Sequence, residues 1–281
     1  MNYLITGSSG FLGKNLVNLL EQKGNNVFKC GRNSKIKNQI YFDLKEKIIF
    51  ENEILKKVNI LIHCAYSFDA SSINSSRKIN VGGTKNLFKI AAKNKIKIIY
   101  ISSISAFEGC KSVHGKVKLE IESLTKKYNG TIIRPGLIYS KKVQGAMFGS
   151  LINLIKKIPI IPLIGSGSQI FYMCELEALC KLIHELSKKN ENAIITAADE
   201  KPITLKKILK KIILKYNLTR ILLPFPSIII IITLKIFEKL NIKLRLQSDS
   251  LISILYPNKN PSFKSLKKYK INFPKFEKDF K

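Results

Sequence analysis

Three glycines near the start of the chain limit the folds that this sequence can adopt. Gly7, Gly10 and Gly13 follow the apolar residues 3–6 and open residues 11–23, whose apolar spacing is typical of a helix. In such a unit the first glycine allows a tight turn, the second lets a pyrophosphate approach the backbone, and the third allows close packing of helix on strand. The N–H groups and the dipole of the helix hold the phosphate charge. We therefore predict a dinucleotide site at this turn, with contacts from Gly7, Ser9, Gly10, Phe11, Leu12 and Gly13.

Strand-like segments alternate with helix-like segments through the first two thirds of the chain. The strand-like segments are rich in Val and Ile and lie at 3–6, 27–30, 40–42, 58–64, 98–102, 131–134 and 193–197. The helix-like segments between several of them lie at 11–23, 76–94, 116–128 and 147–157. Strands with few charges are typical of a parallel sheet that is buried on both faces. The alternation predicts an α/β fold with a Rossmann-type, doubly wound parallel sheet.

The pattern changes after Lys201 to helices and loops, with no further clear strand. We expect residues 1–200 to form the dinucleotide-binding domain, with residues 139–168 contributing to the substrate site. Residues 201–281 are expected to form a smaller, mostly helical region that faces the substrate. The most apolar run, 221–234, is shorter than the ~20 residues of a membrane span. We interpret it as a buried helix preceded by a proline-containing loop, with a helix on a membrane surface as the alternative.

The net charge of +30 would by itself suggest a nucleic-acid partner. The basic residues are nearly all Lys, however, and they are spread along the chain beside abundant Ile and Asn, as the codons of an AT-rich genome would supply. An Arg-rich stripe or interleaved aromatic residues would support nucleic-acid binding, and neither is visible. The five cysteines lack the spacing of zinc or redox motifs, and no targeting segment opens the chain. We therefore expect a cytoplasmic protein with free thiols, no metal site and no nucleic-acid partner.

The end of the second predicted strand bears on the choice of cofactor. Enzymes that use NAD place an acidic residue there for the ribose hydroxyls, whereas this chain has Cys30, Gly31 and Arg32. An arginine at this position can pair with a 2′-phosphate. We therefore favour NADP(H), with NAD(H) as the alternative cofactor and an ordinary surface charge as the alternative role for Arg32.

Further motifs make the chain similar to a known family. They are the glycine turn, Asp43-Leu44 after the third strand, His63-Cys64-Ala65-Tyr66 closing the fourth, Asn80-Val81-Gly82-Gly83-Thr84-Lys85-Asn86-Leu87, Ser102-Ser103, Arg134-Pro135-Gly136 and Pro162-Leu163-Ile164-Gly165-Ser166-Gly167-Ser168-Gln169. With these motifs the chain resembles the extended short-chain dehydrogenase/reductase family, also called the NAD-dependent epimerase/dehydratase family. The resemblance implies further cofactor contacts at Asp43, Leu44, Cys64, Ala65, Tyr66, Asn80, Lys118 and Pro135.

The catalytic unit of that family is a Ser or Thr, then a Tyr, then a Lys four residues later on one helix. Ser103 matches the serine and Lys118 the lysine, but His114 stands at the tyrosine position. Residues four apart share a helical face, so Lys118 would lie beside His114. The resemblance implies that Ser103 binds the reacting oxygen, His114 shuttles its proton, and Lys118 holds the nicotinamide ribose. We expect Lys118 to lower the imidazole pKa from about 6.5, which leaves a neutral ring able to accept a proton.

The resemblance implies an NAD(P)-dependent enzyme that acts on a nucleoside-diphosphate sugar, by epimerisation or keto reduction, in the synthesis of surface-glycan precursors. Ile104 and Ser105 replace the Asp-Glu pair of sugar 4,6-dehydratases, which disfavours dehydration. Because imidazole reaches less far than phenol, the alternative is a catalytically degenerate dinucleotide-binding or regulatory protein on the same fold. The family also implies a homodimer through the helices around Asn86 and Leu119. We interpret His63 and His184, which lie outside the catalytic motifs, as structural.

Overall fold

The structure, a computed structural model, describes residues 1–33, 35–36, 38–69, 72–142, 145–240 and 248–280. Its strands are β1 (Asn2–Thr6), β2 (Asn26–Gly31), β3 (Gln39–Tyr41), β4 (Ile60–His63), β5 (Lys97–Ile101), β6 (Thr131–Pro135), β7 (Leu137–Tyr139), β8 (Ile160–Ile164), β9 (Ile170–Phe171), β10 (Met173–Glu175), β11 (Ile194–Ala197), β12 (Ile203–Thr204) and β13 (Ile221–Phe225). Its helices are α1 (Phe11–Gln22), α2 (Asn52–Lys57), α3 (Ile73–Ser76), α4 (Gly82–Lys93), α5 (Val113–Lys127), α6 (Ala146–Lys157), α7 (Leu176–Ser187), α8 (Leu205–Lys215), α9 (Ser227–Lys239), α10 (Ser248–Leu255) and α11 (Phe276–Asp279). A π-helical turn, Arg77–Val81, joins α3 to α4, and a 3₁₀ turn covers Leu266–Lys268.

Seven strands form one parallel sheet in the order β11-β6-β5-β4-β1-β2-β3. The chain order reverses between β1 and β4, where Thr6 pairs with Cys30 on one side and with His63 on the other. Ligands of such sheets bind outside the carboxyl ends of the strands at this reversal point. The predicted α/β, doubly wound parallel fold is confirmed.

The alternation of side chains along β1 explains why both faces of the sheet are buried. Tyr3 and Ile5 belong to a core that includes Leu16 of α1 and Leu179 of α7. Leu4 belongs to the opposite core, under α4 and α5. Because successive strand residues point to opposite faces, an apolar residue is needed at every position.

Helix α5 begins three residues earlier than the sequence pattern predicted. The Ser112 hydroxyl accepts a hydrogen bond from the Gly115 N–H at 3.1 Å. The Asp249 carboxylate accepts from the Val113 N–H at 2.6 Å and from the His114 N–H at 2.9 Å. These caps satisfy N–H groups of the first turn, so His114 lies within the helix.

A second hydrophobic core joins the segment after β6 to the C-terminal part of the chain. It includes Ile152 of α6, Leu163 of β8, Ile208 of α8 and Phe276 of α11. Residues 139–168 and residues after Lys201 therefore pack together. Positions 143–144, 241–247 and 281 of these two predicted segments lie outside the described residues.

The prediction of no further strand after Lys201 was wrong. Strand β12 pairs antiparallel with β9, and β13 pairs in parallel with β8. Pro224, which cannot donate to a ladder, is tolerated because β13 belongs to a two-stranded sheet and has an unpaired edge. Short strands that pair with a distant segment carry little local signal in the sequence.

The interpretation of residues 221–234 as a buried helix preceded by a proline-containing loop was right about the helix and wrong about its burial and about the loop. Residues 221–225 form β13, and α9 starts after Pro226. Leu234 is the buried residue of α9, and Ile230 and Ile231 pack partly against the second core, whereas Ile228, Ile229, Ile232 and Ile236 are 46–60% exposed. Among the described residues, no helix has the length and apolar character needed to cross a membrane.

A buried ionic network ties α5 to the carboxyl ends of β5 and β6. The Arg134 guanidinium donates to both carboxylate oxygens of Glu122, through Nε at 2.8 Å and Nη2 at 2.5 Å. The Ser102 hydroxyl donates to the same carboxylate at 2.6 Å. Since the Glu122 side chain is 1% exposed, its charge depends on these partners.

We predict that Glu122→Ala lowers the free energy of unfolding by about 3–5 kcal/mol, because it leaves the Arg134 charge without its partner. Glu120→Ala is the matched control, since Glu120 lies two residues away and pairs with Arg77 at the surface. Its loss should cost less than about 1 kcal/mol. Urea denaturation measures both variants, and equal losses would contradict the assignment.

Candidate functional site

The glycine turn lies between β1 and α1 at the carboxyl edge of the sheet. Gly7 has a φ of +69°, and a Cβ there would lie 2.9 Å from the Ala65 nitrogen. A Cβ on Gly13 would lie 2.1 Å from the Gly7 carbonyl oxygen, so a side chain is excluded at both positions. No side chain of the described residues caps α1, whose N-cap is the exposed Gly10. The turn and the first N–H groups of α1 therefore fit a pyrophosphate.

His63 links the turn to the neighbouring elements. Its Nδ1 lies 2.7 Å from the Thr6 hydroxyl, and its Nε2 lies 2.9 Å from the Thr84 hydroxyl. Burial, with a smaller effect of Lys118, lowers the pKa of His63 to about 3. The ring is thus neutral at pH 7 and bridges β1, β4 and α4, which agrees with a structural role.

Arg32 is held in an ion pair beside the end of β2. Its Nη1 lies 2.9 Å from an Asp69 carboxylate oxygen, and the Lys45 ammonium lies 3.0 Å from the same oxygen. All three side chains are 42–58% exposed, and such surface pairs contribute little to stability. Asp69, which sequence reasoning missed, therefore pairs with two cations. A bound phosphate could replace the Asp69 carboxylate as their partner with little loss of stability.

Asp43 and Leu44 lie in the loop after β3. The Asp43 carboxylate accepts from the Lys45 N–H at 2.9 Å, and Leu44 is buried. A Cβ on Gly83 would lie 2.5 Å from the Leu44 carbonyl oxygen. Gly83 thus lets α4 pack closely on this loop. This close packing explains why position 83 of the motif at 80–87 is a glycine.

Asn80 fixes the loop that follows β4. Its side-chain oxygen accepts from the Ser67 N–H at 2.8 Å, and its amide donates to the Ser67 carbonyl at 3.0 Å. Asn80 is fully buried and lies in the π-helical turn. The structure therefore gives Asn80 a positioning role for the loop that carries Ala65 and Tyr66, and its predicted contact with a cofactor stays a prediction.

Lys118 lies buried on α5 against the end of β5. Its ammonium donates to the Ile101 carbonyl at 2.8 Å and lies 4.9 Å from the ring centroids of Tyr66 and Tyr100. Burial lowers the pKa of Lys118 to about 8, and the nearby Cys64 and Glu122 partly oppose this shift. The cation is therefore stabilised by one carbonyl and two aromatic faces.

His114 lies one turn before Lys118 and shares Tyr66 with it. The His114 ring centroid is 4.8 Å from that of Tyr66 and 5.6 Å from that of Phe68. Its Nδ1 is buried with no hydrogen-bond partner among the described residues. Burial first, and Lys118 second, lower the pKa of His114 to about 3. The His114 ring is thus neutral, as the sequence predicted. The main cause is burial of the ring, and the effect of Lys118 comes second.

Ser103 lies at the end of β5 and is hydrogen-bonded locally. Its hydroxyl lies 2.6 Å from the Ser105 hydroxyl and accepts from the Ser105 N–H at 3.2 Å. Among the described residues, the Ser103 hydroxyl makes no hydrogen bond to His114 or Lys118. The structure thus brings His114 and Lys118 together around Tyr66 and leaves Ser103 paired with its neighbour.

The segment after β6 reaches the glycine turn. The Pro135 carbonyl accepts from the Ile104 N–H at 2.9 Å, which ties β6 to the loop after β5. A Cβ on Gly145 would lie 2.2 Å from the Phe11 ring, so the start of α6 packs on the first residue of α1. The Glu175 carboxylate caps α7 by accepting from the Ala178 N–H at 2.7 Å.

Residues 3–195 match the NAD dependent epimerase/dehydratase family. The chain belongs to this family. It is 31% identical over 191 residues to a UDP-glucose 4-epimerase from Vibrio cholerae, in an alignment that covers 56% of this chain and 58% of that protein. It is 23% identical over 189 residues to a ceramide reductase from Caulobacter vibrioides, with 64% of this chain and 59% of that protein covered. The chain thus matches under two thirds of the length of these relatives.

Solved structures share the fold of the chain at low identity. A Thermotoga maritima UDP-glucose 4-epimerase with UDP-glucose has a TM-score of 0.69 at 15% identity, covering 80% of this chain and 86% of that one. A Thermus thermophilus UDP-glucose 4-epimerase in complex with NAD has a TM-score of 0.63 at 14% identity, with the same coverage. The likeness extends beyond residue 195 and confirms the family resemblance at the level of the fold.

Proposed function

We propose that the chain is an NAD(P)-dependent enzyme that acts on a nucleoside-diphosphate sugar by epimerisation or by reduction of a keto group. The observation that carries this proposal is that His114 and Lys118 both lie against the ring of Tyr66 at the carboxyl edge of the sheet, beside a turn that fits a pyrophosphate. Membership of the family and similarity to a UDP-glucose 4-epimerase support the substrate class. A role in surface-glycan precursor synthesis and a cytoplasmic location belong to the same proposal.

The residues that would hold the dinucleotide lie along one edge of the sheet. They are Gly7, Ser9, Gly10, Phe11, Leu12, Gly13, Arg32, Asp43, Leu44, Cys64, Ala65, Tyr66, Asn80, Lys118 and Pro135. When bound, the cofactor supplies or accepts the hydride. The Arg32–Lys45 pair around Asp69 supports a preference for NADP(H), because a 2′-phosphate would satisfy both cations.

Three side chains would manage the proton and the oxygen at the reacting carbon. The Ser103 hydroxyl, now paired with Ser105, would hydrogen-bond the reacting oxygen. The neutral His114 ring would take or return the proton of that oxygen, and the Lys118 ammonium would orient the nicotinamide ribose and favour the return of the proton. A homodimer through α4 and α5 is also proposed, where Asn86 is exposed and Leu119 half-buried.

A second candidate function is binding of the dinucleotide without turnover. It is favoured by the surroundings of His114 and Lys118. A ring whose pKa is about 3 is seldom protonated at pH 7, and the nearby ammonium opposes its protonation further. Tyr66 also packs over Lys118, where ribose hydroxyls would need access. In this case the chain would act as a cofactor-dependent regulatory protein.

We predict that NADPH binds more tightly than NADH and that Arg32→Ala reduces this difference roughly 10-fold to 100-fold, since one charge-assisted phosphate contact is lost. Asp69→Asn should act in the opposite direction, because it frees both cations and removes a negative charge. Lys56→Ala, an exposed cation paired with Glu53, is the control. Calorimetric titration measures the affinities, and equal NADPH and NADH affinities in every variant would contradict the proposal.

We predict that His114→Ala lowers kcat with UDP-glucose by roughly 10²- to 10⁴-fold, the usual effect of losing a positioned acid/base, while dinucleotide affinity is unchanged. Lys118→Ala should reduce both, because Lys118 also contacts the ribose. His184→Ala, on α7, should alter neither. If wild type and His114→Ala turn over the substrate equally, His114 is not the proton shuttle. Binding without turnover in the wild type would instead support the second candidate function.

A further inference from the structure

The two-stranded sheet of β8 and β13 has an exposed apolar face. Ile221, Leu223 and Phe225 alternate along β13 and are 62%, 47% and 38% exposed. Ile160 and Pro162 of β8 are also exposed, and they are the cross-strand partners of Ile221 and Leu223. Since cross-strand partners lie on the same face of a sheet, these five side chains form one continuous apolar surface.

Helix α9 continues this surface. Ile228, Ile232, Ile236 and Leu240 recur at every fourth residue and are 60%, 50%, 52% and 62% exposed. Residues spaced in this way form a stripe on one side of a helix, whereas Leu234, on the other side, packs into the second core. Pro226 alone separates β13 from α9, so the two apolar surfaces follow one another directly along the chain. Scattered exposed apolar residues are ordinary, but a contiguous set of this size marks an interaction surface.

Basic residues flank this surface. Lys235 and Lys239 are exposed and follow one side of the stripe on α9. Lys156 and Lys157, at the end of α6, are exposed just before β8 begins. The acidic residue of α9, Glu238, accepts hydrogen bonds from the Ser248 N–H and hydroxyl at 2.6 Å and 2.8 Å, so its charge is engaged within the fold. The flanks of the surface are therefore positively charged.

We propose that the exposed face of β8 and β13 and the stripe on α9 bind the surface of a bilayer that contains anionic phospholipids. An apolar helical face with lysines beside it is typical of helices that lie in the membrane interface. Anionic headgroups would neutralise the flanking lysines while the isoleucines enter the acyl boundary. A second copy of the chain fits this surface less well, because it would bring the lysines that flank the surface on one copy close to the same lysines on the other. The proposal does not depend on the proposed function.

Flotation with vesicles tests the proposal. The wild type should float with vesicles of phosphatidylglycerol and phosphatidylcholine, and less with pure phosphatidylcholine. The triple variant Ile228→Ser/Ile232→Ser/Ile236→Ser should bind at least roughly 100-fold more weakly, because burial of each isoleucine is worth about tenfold or more. Its control is Ile36→Ser/Ile49→Ser, which removes exposed isoleucines from the sheet domain. Thermal melting by circular dichroism shows that each variant is folded.

The role of charge is tested in the same assay. Lys235→Glu/Lys239→Glu should weaken binding at least roughly tenfold, whereas Lys93→Glu/Lys126→Glu changes the net charge equally on α4 and α5 and should have less effect. Because the chain contains no Trp, Ile232→Trp supplies a single fluorophore. Its emission should shift to the blue on anionic vesicles and be quenched by brominated lipid, whereas that of Ile49→Trp should not.

Three results would overturn the proposal. The first is a wild type that does not float with anionic vesicles. The second is equal binding by the triple serine variant, which would show adsorption by charge alone. The third is a wild-type dimer that the triple variant converts to a monomer, without vesicle binding by either, because the surface would then be an interface between two copies of the chain.

Discussion

The buried ammonium of Lys118 organises the candidate site. A cation inside a protein requires compensation, and here the Ile101 carbonyl and the faces of Tyr66 and Tyr100 provide it. Its charge adds to burial in keeping His114 and His63 neutral. At the carboxyl edge of the sheet, Lys118 is therefore a buried cation among neutral rings, and no side chain of the described residues caps the nearby start of α1. Both features favour an anionic ligand with hydroxyl groups, which is the chemistry of a dinucleotide.

The same arrangement restricts what His114 can do. A tyrosine at this position would donate or accept a proton with a hydroxyl, and the lysine would favour its ionised form. An imidazole next to the same lysine is instead kept neutral, because its ionised form is the cation. If His114 takes part in chemistry, it does so as a neutral ring, and the substrate must stabilise the proton that the ring accepts. The two candidate functions, an enzyme and a non-catalytic dinucleotide-binding protein, thus fit the same fold. They differ in whether a substrate stabilises the proton that the His114 ring accepts.

Local sequence patterns were enough to predict the sheet and the turn. The apolar strands and the spacing of Gly7, Gly10 and Gly13 each lie within a short run of consecutive residues, so the sequence shows them directly. Contacts between distant segments were not predictable in this way. Asp249 caps α5 from another helix, Asp69 pairs with Arg32 across a loop, and β13 finds its partner in β8. The apolar run at 221–234 was misassigned for the same reason, because hydrophobicity predicts burial but does not say that a face of α9 is left uncovered.

The titration of Lys118 tests the account most directly. NMR of the lysine side-chain ¹³Cε resonances, assigned with Lys118→Arg, reports the pKa of this ammonium in the free protein and with saturating NADPH or NADH. The account predicts a pKa of about 8 in the free protein, together with a saturable change in the resonance when the dinucleotide binds. A pKa near the ordinary lysine value of about 10.4, with a resonance that neither dinucleotide alters, would contradict it.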